Sequence, residues 1–189
     1  MLRIHAGQRI EERLVATRMH GFDAILREAT ANVSREYFLL PIVWGPAIYR
    51  ERVYCYELYH QLRSLWPDGS QYRLNGEIDK RGHPCFAEDD WAPKPDFLVH
   101  VPGSHDNYAA IEVKTAYNLG VREILKDVDT LARFTNEAGY VRGIHLLFGA
   151  SATQTIDVLR HTGIDRERVA RIEFWGQPQA ERPAERSAW

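Results

Sequence analysis

The hydrophobic period of the chain switches between helix and strand spacing, and this limits the possible folds more than any other feature. Tyr72, Leu74 and Ile78 alternate with Arg73, Asn75, Glu77 and Asp79, the two-residue period of a strand. Phe97 to Val101 and Tyr108 to Thr115 predict two more strands. The short polar connection Ser104-His105-Asp106-Asn107 predicts that these two pair as an antiparallel hairpin. Helical spacing returns at 121–138, where Val121, Ile124, Leu125, Val128, Leu131 and Ala132 share one side and Gly139 is the stop signal. Ile144 to Phe148 lies between Gly143 and Gly149 and has the profile of a strand buried on both faces. Upstream, the spacing predicts helices over 8–30 and 47–66, with Pro41, Gly45 and Pro46 breaking the chain between them. Residues 153–161 are weakly helical, 169–175 strand-like, and the polar tail 177–189 is expected to be disordered. The order of helix, three strands, helix, strand, with an extra helix in front, defines an α/β fold: a mixed sheet flanked by helices.

At 189 residues, the chain fits one domain, large enough to bury about 70% of its unfolded surface. Its 44% hydrophobic content therefore requires neither disulfides nor a structural metal. The net charge of −2 and pI near 6.4 argue against attachment to nucleic acid or anionic lipid by bulk positive charge, leaving only a local basic patch. The sequence holds no apolar stretch long enough to span a membrane. Cys55 and Cys85 have no metal-ligand spacing, and two reduced cysteines together with an N-terminus lacking an apolar signal core point to the cytoplasm.

The chemistry concentrates in Pro95-Asp96 and Glu112-Val113-Lys114. An acid two residues before a lysine is expected about 0.5 times in this composition, so the tripeptide gains its weight from context. Glu112 and Lys114, two apart on a strand, project from one face. Asp96 opens the neighbouring strand, where a hairpin sets its carboxylate beside Glu112. Two carboxylates about 4 Å apart repel by about 4 kcal/mol at an effective dielectric of 20, so such a pair needs a proton or a cation between them. All-oxygen donors, with the Val113 carbonyl as a further ligand, suit Mg²⁺ or Mn²⁺. Such an ion polarises a phosphate and lowers the pKa of bound water. Lys114 is placed to orient or deprotonate that water, or to stabilise the transition state. The chain uses 20 arginines and four lysines, and a proton-transferring role suits lysine alone of the two. The plainer alternative is a same-face ion pair with little energetic weight.

Over about residues 47–149 the chain resembles the PD-(D/E)xK nuclease superfamily, the restriction-endonuclease-like fold. The resemblance implies a Mg²⁺-dependent phosphodiesterase with metal ligands at Asp96 and Glu112 and a catalytic lysine at Lys114. Many members carry an acid on the helix before the first strand, and Glu57 fits that slot. The glutamine- and tyrosine-bearing helix motif of the RecB-like branch is not evident after Lys114, and no sequence-reading module is recognisable. On this reading 1–46 is a helical segment packed on the core, 47–176 the nuclease-like domain, and 177–189 the tail.

Other residues admit two readings. Glu77 is an alternative ligand or a cross-strand ion pair. His60 shares the face of Glu57, as a surface histidine or a helper. Arg122, Lys126 and Arg133 lie along one stripe of the helix after Lys114, facing phosphates or solvent; Asp129 in the same stripe favours solvent. Tyr54, Tyr56, Tyr59, Tyr117 and Trp91 are candidates to stack on bases or to pack. Glu88-Asp89-Asp90 reads as a solvated run. The expected function is a metal-dependent endonuclease acting on DNA rather than RNA, in bacterial restriction or anti-phage defence, as a homodimer or a subunit of a larger system. The alternatives are a structure-selective nuclease of the Holliday-junction type and a nuclease-like binding subunit without catalysis.

Overall fold

The computed structural model describes residues 21–78 and 93–189. Five helices and six strands are present among them: α1 Phe22–Ala31, α2 Arg35–Phe38, α3 Glu51–Ser64, β1 Arg73–Gly76, β2 Phe97–His100, β3 Asn107–Thr115, α4 Val121–Asn136, β4 Arg142–Phe148, α5 Ala152–Thr162, β5 Ile172–Gln177 and β6 Glu185–Ser187. The strands form one open mixed sheet in sequence order. β1, β2 and β3 run as an antiparallel meander, β3, β4 and β5 are parallel, and β6 closes the far edge antiparallel to β5. The parallel connections are long enough for a helix, as parallel pairing requires, and α4 and α5 fill them.

Each face of the sheet is covered by its own helical layer. Phe22, Leu26 and Ala29 of α1 and Tyr54, Leu58 and Leu62 of α3 pack on Ile111, Val113, Ile144, Leu146 and Phe148. Ile124, Val128 and Leu131 of α4 and Ile156 and Leu159 of α5 pack on Leu98, Ala110 and Phe174. Successive residues of β3 and β4 thus enter opposite cores, which explains why Ile144–Phe148, apolar apart from His145, are all buried. Tyr54 stacks on Phe148 at 4.1 Å between ring centroids, joining α3 to the middle of the sheet. Among the described residues no helix is long and apolar enough to cross a membrane.

The expected hairpin of β2 and β3 forms, with an irregularity at Val99/His100. The helix expected over 47–66 starts later, at Glu51, because Leu40 and Ile48 exchange backbone hydrogen bonds in an isolated antiparallel bridge. The first strand is shorter than its alternation suggests, since Glu77 takes a positive φ of 44°. The tail is a correction. Its residues 185–187 form β6, and Gln177 and Ala184 are wholly buried. The Gln177 side chain donates to the carbonyls of Thr30 at 2.7 Å and Arg182 at 3.0 Å and accepts from the Tyr54 hydroxyl at 2.5 Å. The N–H of Ala184 donates to Thr30 Oγ1 at 2.8 Å. The tail is ordered by these few buried anchors, while Gln179, Glu181, Arg182, Glu185 and Arg186 remain exposed. Of the helix expected over 8–30, the part before residue 21 lies outside the described residues, as do Cys85, Glu88-Asp89-Asp90 and Trp91.

Candidate functional site

β3 has nine residues and β2 four. The β2–β3 ladder ends at Phe97 opposite Ile111, so among the described residues Glu112 to Thr115 have a strand neighbour only on the β4 side. Asp96 sits at this fork. Its Oδ2 accepts the N–H of Val113 at 2.7 Å, inserting a carboxylate where the ladder stops. The N–H of Glu77 donates to the Asp96 carbonyl at 3.0 Å, fixing the residue from the β1 side as well.

Glu112 and Lys114 leave the opposite face from Val113, toward the layer of α4. Glu112 lies beside His145 of β4 in register. The Lys114 Nζ is 3.3 Å from Asp127 Oδ2 of α4 and 3.5 Å from Glu51 Oε2 of α3. Asp127 and Glu51 thus pair with one ammonium whose charge Asp96 and Glu112 also feel, with Lys126 the second cation felt by Glu112 and Asp127.

The carboxylates are electrostatically crowded. Burial pushes Asp96 up to about 7, against the Val113 N–H, which stabilises its charge; Glu51 and Asp127 push it further up, and Lys114 opposes them. Burial also drives Glu112 well above the usual carboxylate range, reinforced by Asp96 and Asp127 and opposed by Lys114 and Lys126. Asp127 is pushed up to about 6 by burial, against Lys114. Burial alone would pull Lys114 down, but Asp127, Glu51 and Glu112 outweigh it and raise its pKa, so the ammonium stays charged at neutral pH.

Beneath this group, His145 is fully buried, and neither ring nitrogen has a hydrogen-bond partner among the described residues. Its Nε2 lies 3.9 Å from Asp127 Oδ2. Burial, with Lys114 nearby, lowers its pKa to about 3, so the imidazole is neutral at pH 7.

The donor chemistry fits a hard divalent ion: two mutually repelling carboxylates, Asp96 and Glu112, and the main-chain carbonyl of Val113 between Glu112 and Lys114. Among the described residues no group of three or more His, Cys, Asp or Glu side chains is arranged to hold a metal. The pair and the carbonyl are therefore the set on which a metal reading rests.

Glu57 does not join the group through any contact among the described residues; its carboxylate accepts from Gln61 Nε2 at 2.6 Å. The α3 acid at Lys114 is Glu51, one turn before Cys55 on the helix. Glu77 pairs with Arg52 at 3.5 Å, and His60 is exposed. Arg122 and Lys126 are exposed on α4, beside a surface depression of about 690 Å³ that Arg133 also lines. Arg133 pairs with Glu137 at 3.4 Å and Asp129 with Arg168 at 2.5 Å. Tyr54 is buried and Tyr59 packs near Phe97, whereas Tyr56 and Tyr117 are exposed.

Sequence reasoning missed Asp127, Glu51 and His145. Asp127 carried a signal, standing three after Ile124 and four before Leu131 on the apolar stripe of α4. His145 carried another, as the one polar residue inside the run Ile144–Phe148. Comparison of the chain with protein-family models, curated proteins and solved structures gives no match in any of the three.

Proposed function

We propose that this chain is a divalent-metal-dependent phosphodiesterase acting on nucleic acid, DNA ahead of RNA, with a restriction-endonuclease-like core formed by α3, β1, β2, β3, α4 and β4. The observation that carries the reading is the fork of β2 and β3. It holds Asp96 against the main chain of Val113, between the two side chains that the acid-x-lysine pattern singles out. Asp96, Glu112 and the Val113 carbonyl would hold Mg²⁺ or Mn²⁺, which supplies a polarised phosphate and a more acidic water.

The other roles belong to the chain itself. Lys114 is kept protonated by Asp127 and Glu51, so it offers positive charge and a donor to the phosphoryl oxygens more readily than a free amine to take a proton. Asp127 and Glu51 position that ammonium from the two helical layers. Neutral His145 fills the space under Asp127 without adding charge. Arg122 and Lys126 supply exposed positive charge for the flanking phosphates.

A second reading rests on the same contacts. The Asp96 carboxylate is engaged by Val113, and Lys114 is paired twice, so the cluster also suits a binding subunit in which these groups only hold the sheet fork together. Incubation of the purified chain with supercoiled plasmid, single-stranded DNA and RNA, each with Mg²⁺, Mn²⁺ or EDTA, separates the two. The nuclease reading expects cleavage that EDTA stops, and the binding-subunit reading expects none with any metal.

A further inference from the structure

The most exposed apolar segment among the described residues is Pro41-Ile42-Val43-Trp44-Gly45-Pro46, carried on the Leu40–Ile48 bridge. Trp44 is 100% exposed and Val43 80%, and Trp44 holds a positive φ of 65°, a conformation that bulky side chains rarely adopt. The loop is rooted at the end of β4 that lies beside Lys114 and Thr115 of β3. Tyr49, directly after the bridge, packs on Phe38 and Phe148. At Gly149 the Tyr49 ring and the Ala116 side chain stand close enough that an added Cβ would touch both. Two residues after Tyr49, Glu51 reaches Lys114.

The same end of β3 carries Tyr117, 81% exposed and three residues beyond Lys114. Arg50, at the foot of the loop, is exposed and has no ion pair among the described residues. Bare aromatic rings beside an exposed, unpaired arginine are what a nucleic-acid strand with splayed bases can use, the bases stacking and a phosphate neutralised. A membrane is a poorer fit, since anionic lipid is recognised by clusters of lysine and arginine and Arg50 stands alone at the foot of the loop.

We propose that the 41–46 loop, with Trp44 at its tip, and Tyr117, which follows Ala116 near the root of the loop, form a base-stacking surface that directs the candidate site to unpaired strands. The substrate class is single-stranded or frayed nucleic acid in preference to a blunt duplex. This deepens the phosphodiesterase reading and rests on it for the chemistry, but not for the binding.

The test measures binding in EDTA with a fluorescein-labelled single-stranded oligonucleotide and with the blunt duplex made from it. Stacking on one aromatic side chain is worth about fivefold to a hundredfold in affinity. Trp44→Ala is expected to lower the single-strand over duplex affinity ratio by that factor. Trp44→Phe is expected to retain most of the ratio, and Tyr117→Ala to lower it in the same direction. Trp44 is fully exposed, so unchanged far-ultraviolet dichroism and melting temperature should accompany the loss. An unchanged ratio in Trp44→Ala overturns the proposal, as does a wild-type chain that binds neither strand. Loss in Trp44→Ala of binding to phosphatidylserine vesicles, or of a dimer seen by sedimentation, with the ratio intact, assigns the loop to a membrane or a second copy and also overturns it. Cleavage of plasmid with Mg²⁺ is scored separately. A chain that cuts but whose ratio ignores Trp44 loses only the loop assignment. A chain that shows the Trp44-dependent ratio but never cuts retains the loop and loses the phosphodiesterase.

Discussion

Asp96 Oδ2 and the main-chain N–H of Val113 are joined at 2.7 Å at the point where β2 ends and β3 continues. One contact therefore closes the sheet fork and draws a carboxylate toward Glu112 and Lys114. Structure and chemistry are coupled at this residue, and substitutions there separate them. Asp96→Asn keeps an oxygen that accepts from Val113, so the fold should persist. Asp96→Ala leaves the N–H without its acceptor, at a cost of about 1–3 kcal/mol. Urea melts of the two variants should differ in this order.

The metal-free protein should lose stability as pH rises from about 4 to 7. Asp96, Glu112 and Asp127 all have folded-state pKa values above their unfolded ones. The folded state therefore binds more protons in that window, and the stability present at low pH is lost as these groups ionise. His145 acts oppositely. Its pKa is lowered in the fold, so its contribution is gained as pH rises from about 3 to 6.5. One group opposes three, and the net slope remains downward. Urea midpoints at pH 5 and pH 7.5 in EDTA should show the fall, and Glu112→Gln should flatten it.

Glu51 and Asp127 hold Lys114 from opposite helical layers, so each should partly cover for the other. Glu51→Gln and Asp127→Asn are each expected to be milder alone than their combination implies. A double-mutant cycle read by chemical denaturation should give a coupling of about 0.5–3 kcal/mol, the range for residues that share a partner. A coupling of zero would mean that the two acids act independently.

Gln177 ties the C-terminal segment to α1 and α3. Replacing it with Leu removes the bonds to the Thr30 and Arg182 carbonyls and leaves the buried Tyr54 hydroxyl without its acceptor, costing about 1–3 kcal/mol for that hydroxyl. Thermal melting should register the loss, and proteolysis should open first in the segment after 177.

Much of this fold is legible in the sequence because β3, α4 and β4 carry unbroken periodic patterns that tertiary packing reinforces. The face shared by Glu112 and Lys114 follows from strand alternation alone. The tail was opaque for the opposite reason. Gln177 and Ala184 are held by hydrogen bonds to Tyr54 and Thr30, more than a hundred residues away, and no local pattern announces such partners. The same limit explains why the sequence reading names Glu57 and passes over Glu51. Both lie on α3, and only the position of the helix relative to β3 decides which acid meets Lys114. Asp127 and His145 were visible as polar residues on apolar faces, but their meaning depends on the neighbouring elements.

The central claim is that Asp96 and Glu112 form a divalent-metal site that drives phosphodiester cleavage. Its most direct test is the nicking of supercoiled plasmid in Mg²⁺ or Mn²⁺ by the wild type and by Asp96→Asn, Glu112→Gln and Lys114→Ala, with Mn²⁺ binding followed in parallel by calorimetry. The account predicts EDTA-sensitive cleavage by the wild type and loss of cleavage in all three variants. Mn²⁺ binding should be lost in the two carboxylate variants and largely kept in Lys114→Ala. Equal cleavage by the wild type and Glu112→Gln, or no cleavage and no Mn²⁺ binding by the wild type, would contradict it.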